Sequence, residues 1–368
     1  MTHDFPLLMT GSEWFASRPG GLNRYFLELF RAFDALDDVD VTGLAFGDTP
    51  SLTGAKSWRS GGNIVARVAA SRRAESAREA PRVVDRHFAL YGPPPRRYPK
   101  ALQIVHFQGP WADESRVAGG GGVSTRAKRL VERRRYHEAD HLIVLSAPFA
   151  QILVDDYGIA RERITILPPG VDTERFASAQ TGPTAEPAGE ARPIVLCVRR
   201  LEHRMGIDVL IRAWDDISAA IPGAQLRIVG TGTAEAELRE LAGRARNPES
   251  IVFTGRLSDE ALIDEYRAST ITVVPTTSLE GFGLIALESL AAGKAAVVTD
   301  CGGLPDAVRG LDASLIVPPG DASALGARII QALDGKRPTA QECVDHAAAF
   351  SWNATARRHL DLYLSLGA

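Results

Sequence analysis

Apolar and polar positions alternate with two different periods along the second half of the chain. Five apolar runs have the length and composition of a buried strand: residues 193–198, 225–230, 250–255, 271–275 and 295–300. A segment with a helical period, or a glycine-bearing turn, follows each run. Strands that alternate with helices in this way are typical of a parallel sheet covered on both faces. The pattern therefore predicts an α/β fold.

The first half of the chain is less regular. Residues 41–47, 102–107 and 141–146 are strand-like, and residues 21–33 have a helical period. The last part of the chain, residues 351–366, has the period of an amphipathic helix. We interpret the first half as a second α/β unit with longer loops.

The stretch 177–192 has no apolar period, which marks a domain boundary. We predict an N-terminal domain, a linker, a C-terminal domain and a terminal helix, with the bounds 1–172, 173–192, 193–349 and 350–368. In open parallel sheets a ligand binds at the carboxyl ends of the strands. The expected ligand site is therefore a cleft between the two halves.

The composition excludes several classes of protein. The chain has 368 residues, of which 45% are hydrophobic and 24% are charged, as in an ordinary globular protein. This excludes a mostly disordered chain, a fibre and a disulfide scaffold. A net charge of −3 gives no indication of a nucleic-acid partner. The separated cysteines Cys197, Cys301 and Cys343 indicate reduced thiols, and we expect neither a signal peptide nor a membrane-spanning segment.

The small net charge hides a strongly basic segment. Residues 56–135 carry 18 Lys and Arg against 6 Asp and Glu, a local net charge of +12. One interpretation is a solvated, arginine-rich helical surface. The other is a polyanionic partner or a membrane surface. The sequence leaves both open, so peripheral membrane contact stays a hypothesis.

Two glutamates frame a glycine-containing loop and the start of a helix. Glu280 follows a buried apolar run, so it lies on the loop at the carboxyl end of a strand. Gly281 and Gly283 allow a tight turn and a close approach of a ligand to the backbone. The helix begins near Phe282–Leu284 and offers unpaired N–H groups to an anion. Glu288 follows on its apolar face, where a carboxylate needs a partner.

This segment resembles the E-x7-E motif of the retaining glycosyltransferases of family 4, which have the GT-B fold. Other segments agree with the family in order along nearly the whole chain: Gly20-Gly21 with Arg24, and residues 106–115, 167–176, 198–214, 253–269 and 301–308. The resemblance implies an α/β fold of two Rossmann-like domains that face a cleft. It also implies a C-terminal helix that crosses back to the N-terminal domain.

The resemblance implies roles for individual residues. A nucleoside-diphosphate sugar would bind mainly to the C-terminal domain, with Glu288 on the ribose, Arg200 on the diphosphate and Glu280 as a catalytic residue beside the donor sugar. The other implied donor-binding residues are Gly20, Gly21, Arg204, Arg256, Leu257, Gly281, Phe282, Gly283 and Leu284. The family uses no bound metal and no cofactor, and the nucleotide sugar is a substrate.

Two departures from the family pattern affect the candidate residues. The family's lysine is Met205 here, and a thioether cannot neutralise a phosphate. Arg199, where the family has glycine, and Arg204 are candidates to supply the missing charge. The family's active-site histidine corresponds best to Gln108, and His106 lies two residues earlier on the same face of a strand. We keep both as catalytic candidates, without deciding which of them faces the sugar.

The implied reaction moves a hexosyl group from a UDP- or GDP-sugar to a hydroxyl of a glycan, glycolipid or small-molecule acceptor, with retained configuration. The acceptor attacks on the face from which the diphosphate leaves. A sugar phosphorylase or a nucleotide-sugar epimerase of the same fold stays open as an alternative. So does an inactive nucleotide-sugar-binding protein, because Met205 and Gln108 depart from the family pattern. We expect a cytoplasmic protein, with contact at the inner face of the membrane as the hypothesis above.

Overall fold

The computed structural model describes residues 5–18, 20–58, 62–72, 80–110, 122–177 and 192–368. The chain divides into two compact units. Unit 1 comprises Met1–Gly170 together with Trp352–Ala368, and unit 2 comprises Val171–Ser351. The last helix of the chain therefore belongs to the N-terminal unit.

Unit 1 is built on a parallel sheet. Its described strands are β1 (Phe5–Glu13), β2 (Val39–Phe46), β3 (Ala55–Ser57), β4 (Val83–Arg86), β5 (Leu102–Phe107), β6 (His141–Val144) and β7 (Ile164–Ile166), in the order β3-β2-β1-β4-β5-β6-β7. Its described helices are α1 (Gly21–Asp34), α2 (Ile64–Arg72), α3 (Gly122–Glu138), α4 (Ala147–Tyr157) and α13 (Trp352–Ser365). The chain leaves β1 and β4 in opposite directions along the sheet, so a switch point lies at their carboxyl ends.

Unit 2 is a second parallel sheet. Its described strands are β8 (Ile194–Val198), β9 (Gln225–Val229), β10 (Ile251–Gly255), β11 (Ile271–Val274), β12 (Ala296–Thr299) and β13 (Ile316–Val317), in the order β10-β9-β8-β11-β12-β13. Its described helices are α5 (Thr173–Ala177), α6 (Ile207–Ala220), α7 (Glu235–Ala242), α8 (Asp259–Ala268), α9 (Leu284–Ala291), α10 (Leu304–Val308), α11 (Ala322–Leu333) and α12 (Ala340–Ala348). Here the switch point lies between β8 and β11.

Each sheet is stabilised by apolar side chains that are buried on both of its faces. In unit 2 the central strands bury both of their faces, and Val195, Leu196, Val273 and Val298 have no exposed surface. Such strands read as continuous apolar runs because helices cover both sides of a parallel sheet. Burying each of these side chains contributes about 1.5–3 kcal/mol relative to leaving it in water.

The C-terminal helix α13 packs through one face. Ala356, His359, Leu360 and Tyr363 are buried at the spacing of an amphipathic helix. At its start, Trp352 lies so close to Gly170 that a Cβ atom on this glycine would come within 2.5 Å of the indole ring. This close contact explains why a glycine precedes the crossing between the units.

The predicted strands at 102–107 and 141–146 and the helix at 21–33 are present with small shifts at their ends. Strands β1 and β4 were not predicted. Their apolar content is interrupted by polar residues, including the buried Asp85 and Arg86 of β4. Within the part of the chain that the structure describes, no helix is both long and apolar enough to cross a bilayer.

Candidate active site

The loop after β11 is strained directly before the first glutamate of the motif. Leu279 has a φ of 57° and is the one non-glycine residue with positive φ among those described. A bulky side chain in this region costs about 1–3 kcal/mol, and such outliers are concentrated at functional sites. The fold therefore holds Glu280 in a position that an unstrained loop would not give.

Two glycines keep this loop compact. Gly302 has a φ of 56°, and a Cβ atom there would lie 1.9 Å from the carbonyl oxygen of Glu280. Gly283, with a φ of 84°, precedes helix α9, and its Cβ would lie 2.2 Å from a methyl group of Leu304. Both positions require glycine for space and for backbone conformation.

The carboxylate of Glu280 is paired with an arginine. The guanidinium of Arg199 contacts Oε2 of Glu280 and donates to the hydroxyl of Thr276. Their side chains are only 8% and 15% exposed, so water screens this ion pair weakly. Arg199 therefore points into the loop and binds the carboxylate of Glu280, the catalytic candidate. Its Nε has no hydrogen-bond partner among the described residues.

The residues around the missing lysine have separate roles in the structure. Met205 is 4% exposed and belongs to the core. Arg204 is half-buried and donates from Nη1 to the carbonyl oxygen of Leu279 at 2.8 Å. Arg204 therefore brings a positive charge to the strained loop, as a replacement for the lysine requires. Arg200, the residue predicted to contact the diphosphate, is exposed and lies just after the end of β8. Its contact with a diphosphate stays a prediction.

The second glutamate lies inside helix α9. Glu288 is 6% exposed, and its Oε2 accepts a hydrogen bond from the hydroxyl of Tyr266 at 3.1 Å. Tyr266 is itself fully buried and packs edge-on against Phe176. The carboxylate thus has the partner that its apolar surroundings demand. The ribose contact stays a prediction.

The start of helix α9 has the form of an anion site. Gly283 caps it without a side-chain hydrogen bond, and the first turn has no acidic residue. The first turn therefore supplies no carboxylate that would compete with a bound anion for the first N–H groups and the positive dipole end of the helix. Gly281, Phe282 and Leu284 belong to this turn, with Phe282 buried at 1% exposure. Arg256 is exposed and Leu257 half-buried just after β10.

Unit 1 has a similar open helix start. Gly20 precedes helix α1 and Gly21 is its first residue, and a Cβ atom on either would meet nothing within 4 Å. Helix α1 has no side-chain cap and no acidic residue in its first turn. The geometry is compatible with the predicted phosphate contact, which stays a prediction.

The two catalytic candidates of unit 1 lie in different environments. The side chain of His106 has no exposed surface, because β5 continues to Phe107 and keeps it inside the sheet. Gln108 follows the end of the strand and is half-buried. A fully buried ring cannot contact a substrate, so His106 is a structural residue in this arrangement. Gln108 is the one of the pair that can reach a ligand.

His106 belongs to a buried polar network around Asp85 that the sequence did not predict. Nε2 of His106 lies 2.9 Å from Oδ1 of Asp85, and Nε2 of His87 lies 3.1 Å from Oδ2. The hydroxyl of Tyr363, from the C-terminal helix, donates to the same Oδ2 at 2.9 Å. The only sign of this network in the sequence is the D-x-H pattern that follows an apolar pair at residues 83–87.

The network keeps Asp85 ionised. Burial alone would raise the pKa of Asp85, but His106 and His87 outweigh it and hold the pKa well below its usual value. Burial lowers the pKa of His359 to about 3, so this ring is neutral near pH 7. Its Nδ1 donates to the carbonyl oxygen of Thr355 at 2.7 Å, and Nε2 accepts from the hydroxyl of Tyr25 at 3.4 Å.

The residue types of Asp85, His87 and His106 are those of a metal site, and their ligand atoms lie within 4.8 Å of one another. The rings of His87 and His106, however, are stacked at 3.9 Å with an angle of 19° between their planes. An imidazole lone pair lies in the ring plane, so two nearly parallel rings cannot direct Nε2 at one shared ion. In this arrangement His87 is hydrogen-bonded to Asp85, and Nε2 of His106 lies close to the other carboxylate oxygen.

The sequence of unit 1 offers Trp14, Tyr25 and Trp111 as expected surfaces on which an acceptor sugar could stack. Trp14 and Tyr25 are each 1% exposed and pack in the core, so that expectation is wrong for both. Trp111 lies outside the described residues, as do residues 112–121, which include the end of the segment 106–115.

Comparison with known proteins gives the family. The family model described as Glycosyltransferase Family 4 matches residues 19–175, and that described as Glycosyl transferases group 1 matches residues 182–350. A D-inositol 3-phosphate glycosyltransferase of Acidothermus cellulolyticus is 32% identical over 320 residues, which are 82% of this chain and 71% of that protein. The chain belongs to glycosyltransferase family 4.

Another family-4 relative is matched over a smaller share of its length. The D-inositol 3-phosphate glycosyltransferase of Nocardia farcinica is 34% identical over 260 residues, which are 67% of this chain. The match spans 57% of the Nocardia protein. The family assignment therefore holds for the matched regions, and the activity of the whole protein is a separate question.

Solved structures confirm the predicted GT-B fold. A sucrose-phosphate synthase from Thermosynechococcus elongatus superposes with a TM-score of 0.76 at 22% identity, covering 98% of this chain and 99% of that chain. The Anabaena protein HepE in complex with UDP-glucose gives a TM-score of 0.72 at 14% identity, covering 98% and 99%. At these identities the likeness concerns the fold of a family-4 chain and not its substrate.

Proposed function

We propose that the protein is a retaining glycosyltransferase that moves a hexosyl group from a nucleoside-diphosphate sugar to an acceptor hydroxyl without a metal. The observation that carries this proposal is the strained loop of unit 2, where Arg199 pairs with Glu280 and Arg204 binds the preceding carbonyl. Cations and open N–H groups beside one carboxylate suit a substrate that has both an anionic leaving group and a polar sugar. The family assignment supports the same reaction.

The proposed chemistry needs charge stabilisation more than a nucleophile. The bond from the anomeric carbon to the diphosphate breaks, and negative charge grows on the leaving phosphate. In this proposal Arg204, which lies at the loop, and the first turn of α9 bind that charge. The acceptor hydroxyl attacks on the same face, and the departing phosphate takes its proton. Glu280, already engaged by Arg199, positions the donor sugar and supports the positive charge that develops on it.

The donor is a UDP- or GDP-sugar in this proposal. A UDP-glucose complex of the structurally similar Anabaena protein supports the choice of UDP as the first ligand to assay. The names of the curated relatives make D-inositol 3-phosphate the first acceptor to assay, ahead of glycans and glycolipids.

A thermal-shift panel of UDP, GDP, ADP and dTDP, each with and without EDTA, tests the proposed donor site. One nucleotide at about 100 times its Kd should add about 2.7 kcal/mol to the free energy of unfolding, with no loss in EDTA. If none of the four shifts the melting curve, the proposed donor site is wrong. A shift that EDTA removes would contradict the metal-independent mechanism.

We also propose that unit 1 contacts an anionic membrane surface through helices α2 and α3. Val65 is 72% exposed and Leu130 is 70% exposed, and Arg129, Arg133 and Arg134 are exposed near Leu130 on α3. Ile64, beside Val65, is also 54% exposed. Exposed apolar side chains together with nearby arginines suit a surface that meets anionic lipid headgroups. Arg135, by contrast, is only 9% exposed, so it takes no part in this surface.

Reversing Arg129 and Arg133 to Glu should weaken binding to phosphatidylglycerol-containing vesicles about tenfold or more, because each basic residue contributes about 1 kcal/mol. Arg244→Glu with Arg246→Glu is the matched control, since both arginines are 72% exposed on unit 2. Co-sedimentation with vesicles measures the effect. Equal binding by the two double variants would contradict the proposed membrane surface.

A further inference from the structure

Gln108 is connected to the buried carboxylate of Asp85 through one histidine. Nε2 of His87 faces Oδ2 of Asp85 at 3.1 Å, and the other ring nitrogen, Nδ1, lies 3.4 Å from Nε2 of Gln108. His87 is 2% exposed, whereas Gln108 is half-buried at the end of β5. The three side chains form a line from the core of unit 1 to its surface.

The chemistry of the line determines which atom carries each proton. An ionised carboxylate only accepts hydrogen bonds, so the ring nitrogen beside Asp85 must carry a hydrogen. Burial lowers the pKa of His87 to about 4, and a neutral imidazole has only one N–H group. Nδ1 of His87 is then an acceptor. The group that faces it from Gln108 must be the amide nitrogen and not the carbonyl oxygen.

We propose that Asp85 and His87 are positioning residues that hold the Gln108 amide with its nitrogen turned inward and its carbonyl oxygen turned outward. The outward oxygen accepts a hydrogen bond from a substrate hydroxyl. A histidine at this position, the residue that the family pattern leads one to expect, would instead present a ring nitrogen. The inference rests on the proposed function only for the identity of the substrate.

Other side chains hold this line in place. Tyr363 donates to Asp85 at 2.9 Å, and the ring of His106 stacks on that of His87 at 3.9 Å. Tyr25 and Phe26 of helix α1 pack against His87 with ring centroids 5.7 and 5.3 Å away. The imidazole therefore has no space to turn over, and its tautomer is fixed by Asp85.

A double-mutant cycle separates positioning from general damage. His87→Phe keeps the volume of the ring but removes the acceptor for Gln108, and Gln108→Leu removes the amide. Each change should lower kcat for donor turnover about tenfold, as the loss of one oriented hydrogen bond does. The double variant should be no worse than Gln108→Leu alone, because His87 acts through Gln108. Multiplied effects would overturn the proposal.

A matched control lies on the next strand. His141 of β6 is 6% exposed, and its Nε2 lies 2.8 Å from the hydroxyl oxygen of Thr165. It is not one of the three residues that connect Asp85 to Gln108. His141→Phe should leave kcat within about twofold of the parent. A decrease equal to that of His87→Phe would mean that losing any buried histidine of this sheet has the same effect.

Nitrogen NMR of the histidine side chains in the full chain tests the line without any substrate. With ¹⁵N-histidine, Nδ1 of His87 should resonate as an unprotonated nitrogen at pH 7, and Gln108→Leu should shift it. A protonated Nδ1, or one that Gln108→Leu leaves unmoved, contradicts the positioning. If the parent binds no nucleotide and turns over no donor, the proposed function fails, and the spectra still decide the arrangement of the three residues.

Discussion

Replacing Glu280 by Gln should lower kcat for donor turnover about 100- to 1000-fold while leaving the Kd of UDP within about threefold. This is the typical cost of removing one preorganised electrostatic contact from a transition state. Gln keeps the shape of the side chain but lacks the negative charge that balances Arg199. The Glu280 side chain is only 15% exposed, so water compensates little for the loss of this charge. The rate of UDP release from UDP-sugar measures the effect.

The control for this change is Glu260→Gln, an exposed glutamate in the first turn of helix α8. It makes the same change of charge on unit 2 and should leave kcat unaltered. Thermal melts of both variants show whether the fold is intact. A Glu280→Gln protein that keeps one third or more of the parent kcat would exclude the proposed role of Glu280.

Replacing Glu288 by Gln should have the opposite signature, a loss of nucleotide affinity. Hydrogen bonds to a charged acceptor contribute about 1.5–3 kcal/mol each. We therefore expect the Kd of UDP to rise about 10- to 100-fold. Gln can still accept the hydrogen bond from Tyr266, so the buried hydroxyl stays satisfied. Glu288→Ala would remove an acceptor of the buried Tyr266 hydroxyl and so mix a folding defect with the binding defect.

Saturating concentrations of the donor separate nucleotide affinity from the chemical step. Glu288→Gln protein at saturating donor should recover most of the parent kcat, because the ribose contact is made equally in the ground state and the transition state. If kcat stays low at saturation and the Kd of UDP is unchanged, Glu288 is not the ribose contact.

The sequence predicted the strand, loop and helix around Glu280 in unit 2. An apolar strand, a loop with glycines and a helix with an acidic residue are local patterns, and all three lie within about twenty residues of Glu280. Two features could not be inferred from the pattern. The strain at Leu279 depends on the packing of Gly302 against the loop, and the pairing of Arg199 with Glu280 joins residues 81 positions apart.

In unit 1 the sequence pattern did not predict the different environments of His106 and Gln108 or the partners of Asp85. His106 and Gln108 are two residues apart, and a continuing strand would place both on one face. Strand β5 ends at Phe107, so the alternation does not extend to Gln108, and only His106 stays in the core. The partners of Asp85 come from β5 and from Tyr363 of the last helix, 278 residues away. Charged residues in the four-residue strand β4 also conceal its buried position.

A calorimetric titration of UDP into the parent protein and the Glu288→Gln and Glu280→Gln variants tests the central claim most directly. The claim is that the segment from Glu280 to Glu288 is the donor site. We predict the same Kd for the parent and Glu280→Gln, and a Kd about 10- to 100-fold higher for Glu288→Gln. Equal affinity in all three proteins, or no binding of UDP or of any other nucleotide in the panel, would contradict the account.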